Sequence, residues 1–306
     1  MYKRQGQYYT NAGDTNAKGN LSSYYESIFT VQRSAIINGV TWYYGQFNDG
    51  TRAWIKSSDL RTELTRYFNS PYTFNQAVDT QMNLSYKPQV QHVAGQWVDA
   101  SRTEVANAMN PSLIEKDPTQ KYQFLKLDKY QGLDAAQLDK LLVGKGILAG
   151  QGAAFKEAAQ VNNINEIYLI SHALLETGNG TSTLANGGDV DANNKVVTNA
   201  PRKFYNTFGI GAVDTDAIRG GFKTAEAYGW NTVSKAIIGG ASFIKDRYIG
   251  IGQNTLYRMR WNPNNPGTHQ YATDINWAHH NAARMKQFYD QIAAVGKFFD
   301  VDHYKK

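Results

Sequence analysis

Cysteine is absent from the 306 residues. That excludes a disulfide framework, a thiolate zinc site and a cysteine nucleophile together. Long apolar runs are missing as well, since nothing approaches the roughly 18 residues of a membrane-spanning helix. The opening Met1-Tyr2-Lys3-Arg4-Gln5-Gly6 has no apolar stretch of the kind a signal peptide carries. If the protein is exported, the expectation is an excised or processed piece. Charged residues are sparse, 19% against 42% hydrophobic, a balance that supports a packed core rather than a disordered chain. The length exceeds a typical single domain, so one large domain with a small companion is expected.

Aromatic residues are plentiful: Tyr 20, Phe 13 and Trp 6 make up 13% of the chain. Tyrosine and tryptophan join a flat apolar face to a polar edge, which suits ring-shaped, hydroxylated ligands. They also fill ordinary cores, and composition leaves both uses open. A net charge of +6 and an isoelectric point near 9.2 favour polyanionic surroundings: an anionic polymer, nucleic acid or a membrane surface.

Residues 1–62 read as β. The runs Ile28-Phe29-Thr30-Val31, Val40-Thr41-Trp42-Tyr43-Tyr44 and Arg52-Ala53-Trp54-Ile55-Lys56 are separated by the turn signals Asn38-Gly39 and Asn48-Asp49-Gly50. Several short strands in so few residues indicate a small barrel. From about residue 63 the pattern turns helical. Ser101-Arg102-Thr103-Glu104 opens an amphipathic helix with Val105 and Met109 on one face, ended by Asn110-Pro111. Further helices are expected over 133–142, 153–161, 225–248 and 277–295, and residues 186–200 form a polar loop.

The chemistry concentrates in Asn165-Glu166-Ile167-Tyr168-Leu169-Ile170-Ser171-His172-Ala173-Leu174-Leu175-Glu176-Thr177-Gly178-Asn179-Gly180. Apolar residues lie almost all round this helix, so it belongs in a core. Its last turn ends in a carboxylate, with Gly178 and Gly180 available for the left-handed conformation of a C-cap. Burial and the negative end of the helix both raise the pKa of Glu176, as a general acid near neutral pH requires. An ordinary glutamate on a frayed, solvated helix end is the alternative.

Leu174-Leu175-Glu176-Thr177-Gly178, followed by Tyr205-Asn206-Thr207-Phe208-Gly209-Ile210, resembles the signature of glycoside hydrolase family 73. The likeness is to the endo-β-N-acetylglucosaminidase domains of staphylococcal bifunctional autolysins. It extends through Lys121-Tyr122-Gln123-Phe124-Leu125, Gln151-Gly152-Ala153-Ala154-Phe155, Met259-Arg260-Trp261-Asn262-Pro263 and Pro266-Gly267-Thr268-His269-Gln270-Tyr271-Ala272-Thr273-Asp274. The resemblance implies an α+β chain: a mainly-α, lysozyme-like, two-lobed catalytic domain over 63–306, preceded by a small all-β module over 1–62. It makes Glu176 the general acid, with Asp214 and Tyr271 as further catalytic candidates. Tyr205, Phe208, Trp261 and His269 would line the sugar subsites. The N-terminal segment resembles the SH3-like "GW" wall-targeting units of the same autolysins, although the name-giving Gly-Trp pair reads Ala53-Trp54 here. Trp42 and Trp54 are either barrel core or ligand surface.

The second catalytic group stays open on the residues alone. Glycosidases usually carry two carboxylates, or use the substrate's own acetamido group as the nucleophile. Asp214 fits a carboxylate role, but an Asx-turn would also explain it. Glu226 reads as a solvated helix start and Asp274 as an N-cap. The sequence Asp189, Asp191, Asn193 imitates a Ca²⁺ loop but has Asn194 and Ala200 where glycine and glutamate are needed. His279-His280 has no HExxH pattern, and there is no phosphate loop. No metal or organic cofactor is expected. The expected partner is peptidoglycan, with teichoic acids engaged through the basic surface and N-terminal module. No nucleic-acid partner and no membrane insertion are expected. The expected activity is murein hydrolysis at the reducing side of N-acetylglucosamine by a secreted, wall-associated enzyme. A lytic transglycosylase or muramidase of the same fold and a non-catalytic wall-binding adhesin are the rivals.

Overall fold

The computed structural model describes residues 6–212 and 216–306. The architecture is α+β, and the chain divides into two compact units, Met1–Leu64 and Thr65–Lys306.

The first unit is a sheet of β1 (Gln7–Tyr9), β2 (Gly19–Asn20), β3 (Phe29–Ile37), β4 (Val40–Phe47) and β5 (Arg52–Lys56), in the order β2-β1-β5-β4-β3. The β3–β4 hairpin turns at Asn38-Gly39, where both residues have positive φ (49° and 75°) as a type I′ turn demands. Strand alternation sends Ala53 and Ile55 into the core and leaves Trp54 half-buried on the other face. The two tryptophans therefore divide. Trp42 is core, edge-on to Tyr9 at 5.0 Å, whereas Trp54 and Tyr44 lie under the Arg33 guanidinium at 5.4 and 4.5 Å.

In the second unit the chain runs β6 (Leu64–Thr73), α1 (Phe74–Met82), β7 (Gln89–Val93), β8 (Gln96–Asp99), α2 (Arg102–Met109), α3 (Pro111–Ile114), α4 (Ala135–Leu142) and α5 (Gly152–Asn162). It continues with α6 (Glu166–Glu176), α7 (Thr183–Asn186), β9 (Asp189–Val190), β10 (Val196–Val197), α8 (Ala217–Ala227), α9 (Val233–Arg247), α10 (Leu256–Trp261), α11 (Trp277–Gln291) and β11 (Phe298–Lys305). Three expectations are corrected. Helix does not begin at 63, because β6 is a strand paired with β11 from the far end of the chain. The 225–248 stretch is the end of α8 and the whole of α9, interrupted around Gly229-Trp230. The 186–200 loop carries the short ribbon β9–β10. By contrast, α2 has the cap its sequence announces: Ser101 and Glu104 form a reciprocal capping box, and Val105 and Met109 are fully buried.

The core closes around α6, which packs against α5 and α11. Its cap is Asn165, whose Oδ1 accepts from the amides of Ile167 (2.9 Å) and Tyr168 (3.1 Å). Ile167, Leu169, Ile170 and Leu174 are buried, each stabilising the fold by about 1.5–3 kcal/mol. Burial therefore fixes the helix regardless of the modest propensity of its isoleucines. Behind it, β11 is tied to β6 by Arg66–Asp300 and to α10 by Arg258–Asp302, both two-pronged with N···O distances of 2.8–2.9 Å. Those pairs fix α10, from whose end the chain returns towards α6. Among the described residues no helix is long and apolar enough to cross a membrane.

Candidate active site

Glu176 is the last residue of α6, where Thr177 caps the helix and Gly178 follows with φ +54°. The helix body is buried, but this end opens, and the Glu176 side chain is 37% exposed. Burial still raises its carboxyl pKa above the ordinary value. One turn back on the same stripe is His172, its Nε2 3.8 Å from Glu176 Oε1. Burial holds that imidazole down to about 4, so it is neutral at working pH and leaves the carboxyl's proton affinity intact. Another turn back is Tyr168, buried, with its ring 6.0 Å from His172.

A second wall is the segment 205–210. Asn206, buried, donates through Nδ2 to the carbonyls of Ile210 (2.8 Å) and Gly221 (3.1 Å), and its Oδ1 accepts from the amides of Phe208 (3.4 Å) and Ile210 (3.1 Å). This clamp sets Gly209 at φ +64° directly against the carboxylate. A β-carbon there would stand 3.3 Å from Glu176 Oε2.

The third wall is the strap between α10 and α11. Tyr271, 38% exposed, is held by its amide on the Met259 carbonyl at 2.9 Å. Its ring lies 5.0 Å from Tyr248 and stacks on Trp277 at 4.5 Å. Burial, and after it the Glu176 carboxylate, raises its phenol pKa. His269 is exposed and packs on Tyr248 at 4.5 Å. Gln253 fixes its tautomer. The Gln253 amide nitrogen donates to the carbonyls of Arg258 (2.8 Å) and His269 (2.9 Å), so its Oε1 accepts from His269 Nδ1 (2.6 Å).

Of the residues expected at the site, Tyr271 and His269 come together through Tyr248, and the Glu176 charge acts on the Tyr271 phenol. Asp214 lies outside the described residues. Trp261 is corrected: it is fully buried, under the Arg260 guanidinium at 3.9 Å, and has no face to offer a sugar. Phe208 is likewise core, 6.1 Å from His172, and supports that ring from behind. Tyr205 is half-buried over Gly187 beside the Phe204–Trp230 cluster, and no described contact joins it to Glu176. Glu226 ends α8 rather than starting a helix and pairs with Arg202 at 2.7 Å. Asp274 accepts from the Asn276 amide (2.8 Å), so it shapes the approach to α11 while Asn276 occupies the cap position. Glu166, the other carboxylate of α6, receives the amides of Gln131 and Leu133 at 2.8 Å each. It stands ten residues from Glu176, about 15 Å along the helix, too far to share one glycosidic bond. Among the described residues no cluster of side chains could hold a metal ion.

Residues 152–290 match the family model described as glucosaminidase, mannosyl-glycoprotein endo-beta-N-acetylglucosaminidase. A crystal structure of a major bifunctional autolysin is 52% identical, with a TM-score of 0.72, and is covered over 100% of its chain by 80% of this one. The chain belongs to the glucosaminidase family. A crystal structure of S. aureus glucosaminidase B is 42% identical, also with a TM-score of 0.72, over 80% of this chain and 95% of that one. A catalytic mutant of S. aureus autolysin E, solved with the disaccharide NAG-NAM, is 38% identical with a TM-score of 0.57, over 77% of this chain and 99% of that one. In sequence, the bifunctional autolysin of Staphylococcus aureus strain MW2 is 54% identical over 98% of this chain. The chain spans about a quarter (24%) of that relative's length.

Four residues of this candidate site were missed from sequence: His172, Gly209, Gln253 and Arg260. His172 was readable, being four residues before Glu176 on a helix. The others act through main-chain contacts that no sequence period reports.

Proposed function

We propose that this chain is an endo-β-N-acetylglucosaminidase that hydrolyses the β-1,4 bond between N-acetylglucosamine and N-acetylmuramic acid in peptidoglycan, on the reducing side of N-acetylglucosamine. The observation that carries this reading is Glu176: a carboxyl of raised pKa at the open end of a buried helix, with Gly209 against it and its charge acting on the Tyr271 phenol. Glu176 protonates the departing glycosidic oxygen, a step worth about 10²–10⁴ in rate. The anomeric carbon is then attacked by the substrate's acetamido oxygen or by a water oriented by Asp214. Tyr271 and His269 hold the sugar beside the acid. The names of the relatives, bifunctional autolysins and an autolysin solved with NAG-NAM, favour the same substrate.

The enzyme works outside the cell, on the wall, in wall turnover and daughter-cell separation. Residues 63–306 are the catalytic domain and 1–62 the SH3-like wall-binding module, which engages the wall and its teichoic acids with Trp54, Tyr44 and Arg33. Mass spectrometry of borohydride-reduced digests of purified peptidoglycan tests the assignment. Reduced N-acetylglucosamine ends are expected. Reduced muramic acid ends would make the protein a muramidase, anhydro ends a lytic transglycosylase, and no new ends a binding module.

A further inference from the structure

Arg260 is a buried cation with an unusual set of partners. It makes no ion pair with any described carboxylate side chain, and its Nη1 has no partner at all. Its other donors go to main-chain oxygens of the strap: Nε to the Asp274 carbonyl at 2.7 Å and Nη2 to the Thr273 carbonyl at 2.8 Å. Neither carbonyl needs it. Thr273 also accepts from the Gln89 amide at 2.9 Å, and Asp274 from the Trp277 amide at 3.3 Å. Satisfying buried polar groups therefore does not explain the residue, and a buried charge with no carboxylate in contact is costly to keep; the Asp274 carboxylate offsets burial only in part, and the guanidinium pKa falls to about 9. Stacking over Trp261 recovers only part of that cost.

What the guanidinium does achieve is geometric. Its rigid fork fixes two successive carbonyls two and three residues beyond Tyr271. Tyr271 is itself tied to Met259, the residue before Arg260. The strap is thus held at Tyr271 and again just beyond it, next to the ring that stacks on Trp277.

We propose that Arg260 is a positioning residue, retained to hold Tyr271 in its stack on Trp277 rather than to stabilise the fold. The proposal rests on the reading of Tyr271 as part of the hydrolytic site. Arg260→Met removes the buried charge at similar volume and leaves both carbonyls a donor, so the variant should fold and melt within a few degrees of wild type. Arg260→Lys keeps the charge but loses the fork. On a soluble muropeptide, both variants should lose about tenfold or more in kcat/KM, and Lys should lose less than Met.

The decisive comparison repeats each substitution in a Tyr271→Phe background, where it should cost less than about twofold. A loss that multiplies undiminished through that background, unchanged activity, or variants that fail to fold would each overturn the proposal. A readout independent of turnover is the ring resonance of Tyr271 in ¹³C-tyrosine-labelled protein. It should shift or broaden in Arg260→Met while that of Tyr168 stays, and an unmoved Tyr271 signal would overturn the proposal. If the hydrolytic reading of Tyr271 alone is wrong, Tyr271→Phe will retain full activity while the resonance still responds to Arg260.

Discussion

Replacing Gly209 by alanine puts one methyl group tightly against the Glu176 carboxylate, and its consequences separate into two measurable parts. The first is conformational. Gly209 sits at φ +64°, and an L-residue held in that left-handed region costs about 1–2 kcal/mol. For a domain of this size that corresponds to a Tm lower by roughly 2–8 °C. The second is local. The new β-carbon would stand 3.3 Å from Glu176 Oε2, so the carboxylate must move by a few tenths of an ångström and lose part of its water. Displacement of an acid by that much should lower kcat about tenfold, given that a 1 Å misplacement costs on the order of 10². Lost hydration raises the Glu176 pKa further, so the alkaline limb of kcat/KM should move to higher pH. Gly178→Ala supplies the control. It lies at φ +54°, and its β-carbon would meet only Thr181 Oγ1 at 3.6 Å. Both variants should lose similar stability, and only Gly209→Ala should lose turnover and shift the limb. Equal activity in the two would refute the placement of Gly209 against the acid.

Asp214→Asn should cost much less than loss of Glu176 if the acetamido group is the nucleophile, and a similar amount if Asp214 activates water directly; parallel kcat measurements on one muropeptide decide this. His172 is held down to about 4 from 6.5, so its folded-state pKa lies below the unfolded one. The stability of keeping it neutral, on the order of 3 kcal/mol, is present above pH 6.5 and lost as pH falls towards 4. Glu166, raised to about 7 by burial, acts in the opposite sense over an overlapping window, so the effect is read as the Tm difference between wild type and His172→Gln across pH 4–7. Deleting residues 1–62 should leave turnover on soluble fragments intact and reduce it on whole walls, through loss of a linked binding event. Equal loss on both substrates would show that the segment supports the hydrolase fold instead.

The parts of this molecule legible in sequence are those where a local signal and burial agree. The all-round apolar pattern of α6 and its terminal glycines announced a buried helix ending in a carboxylate. Ser101 and Glu104 announced α2 in the same way. Where partners are remote, the reading failed. The residues of β6 find their ladder in β11, at the opposite end of the chain, and no window around residue 64 contains that information. Trp261 and Phe208 sit in the strings that identify the family, yet both face inwards, because a motif names residues without saying which way an irregular segment turns them. The holding residues Asn206, Gln253 and Arg260 work through main-chain bonds, which only the folded chain creates.

The central claim is that Glu176 supplies the proton, and the pH profile of Glu176→Gln turnover on purified peptidoglycan tests it most directly. The amide keeps the shape and can still hydrogen-bond the glycosidic oxygen, so glycan binding should survive while turnover falls by about 10²–10⁴. In wild type, activity should decline as pH rises through the elevated pKa of Glu176 and the acid is lost. That alkaline limb should be absent from the residual activity of the variant. A limb that persists in Glu176→Gln, or turnover close to wild type, would contradict the account and remove Glu176 from the acid role.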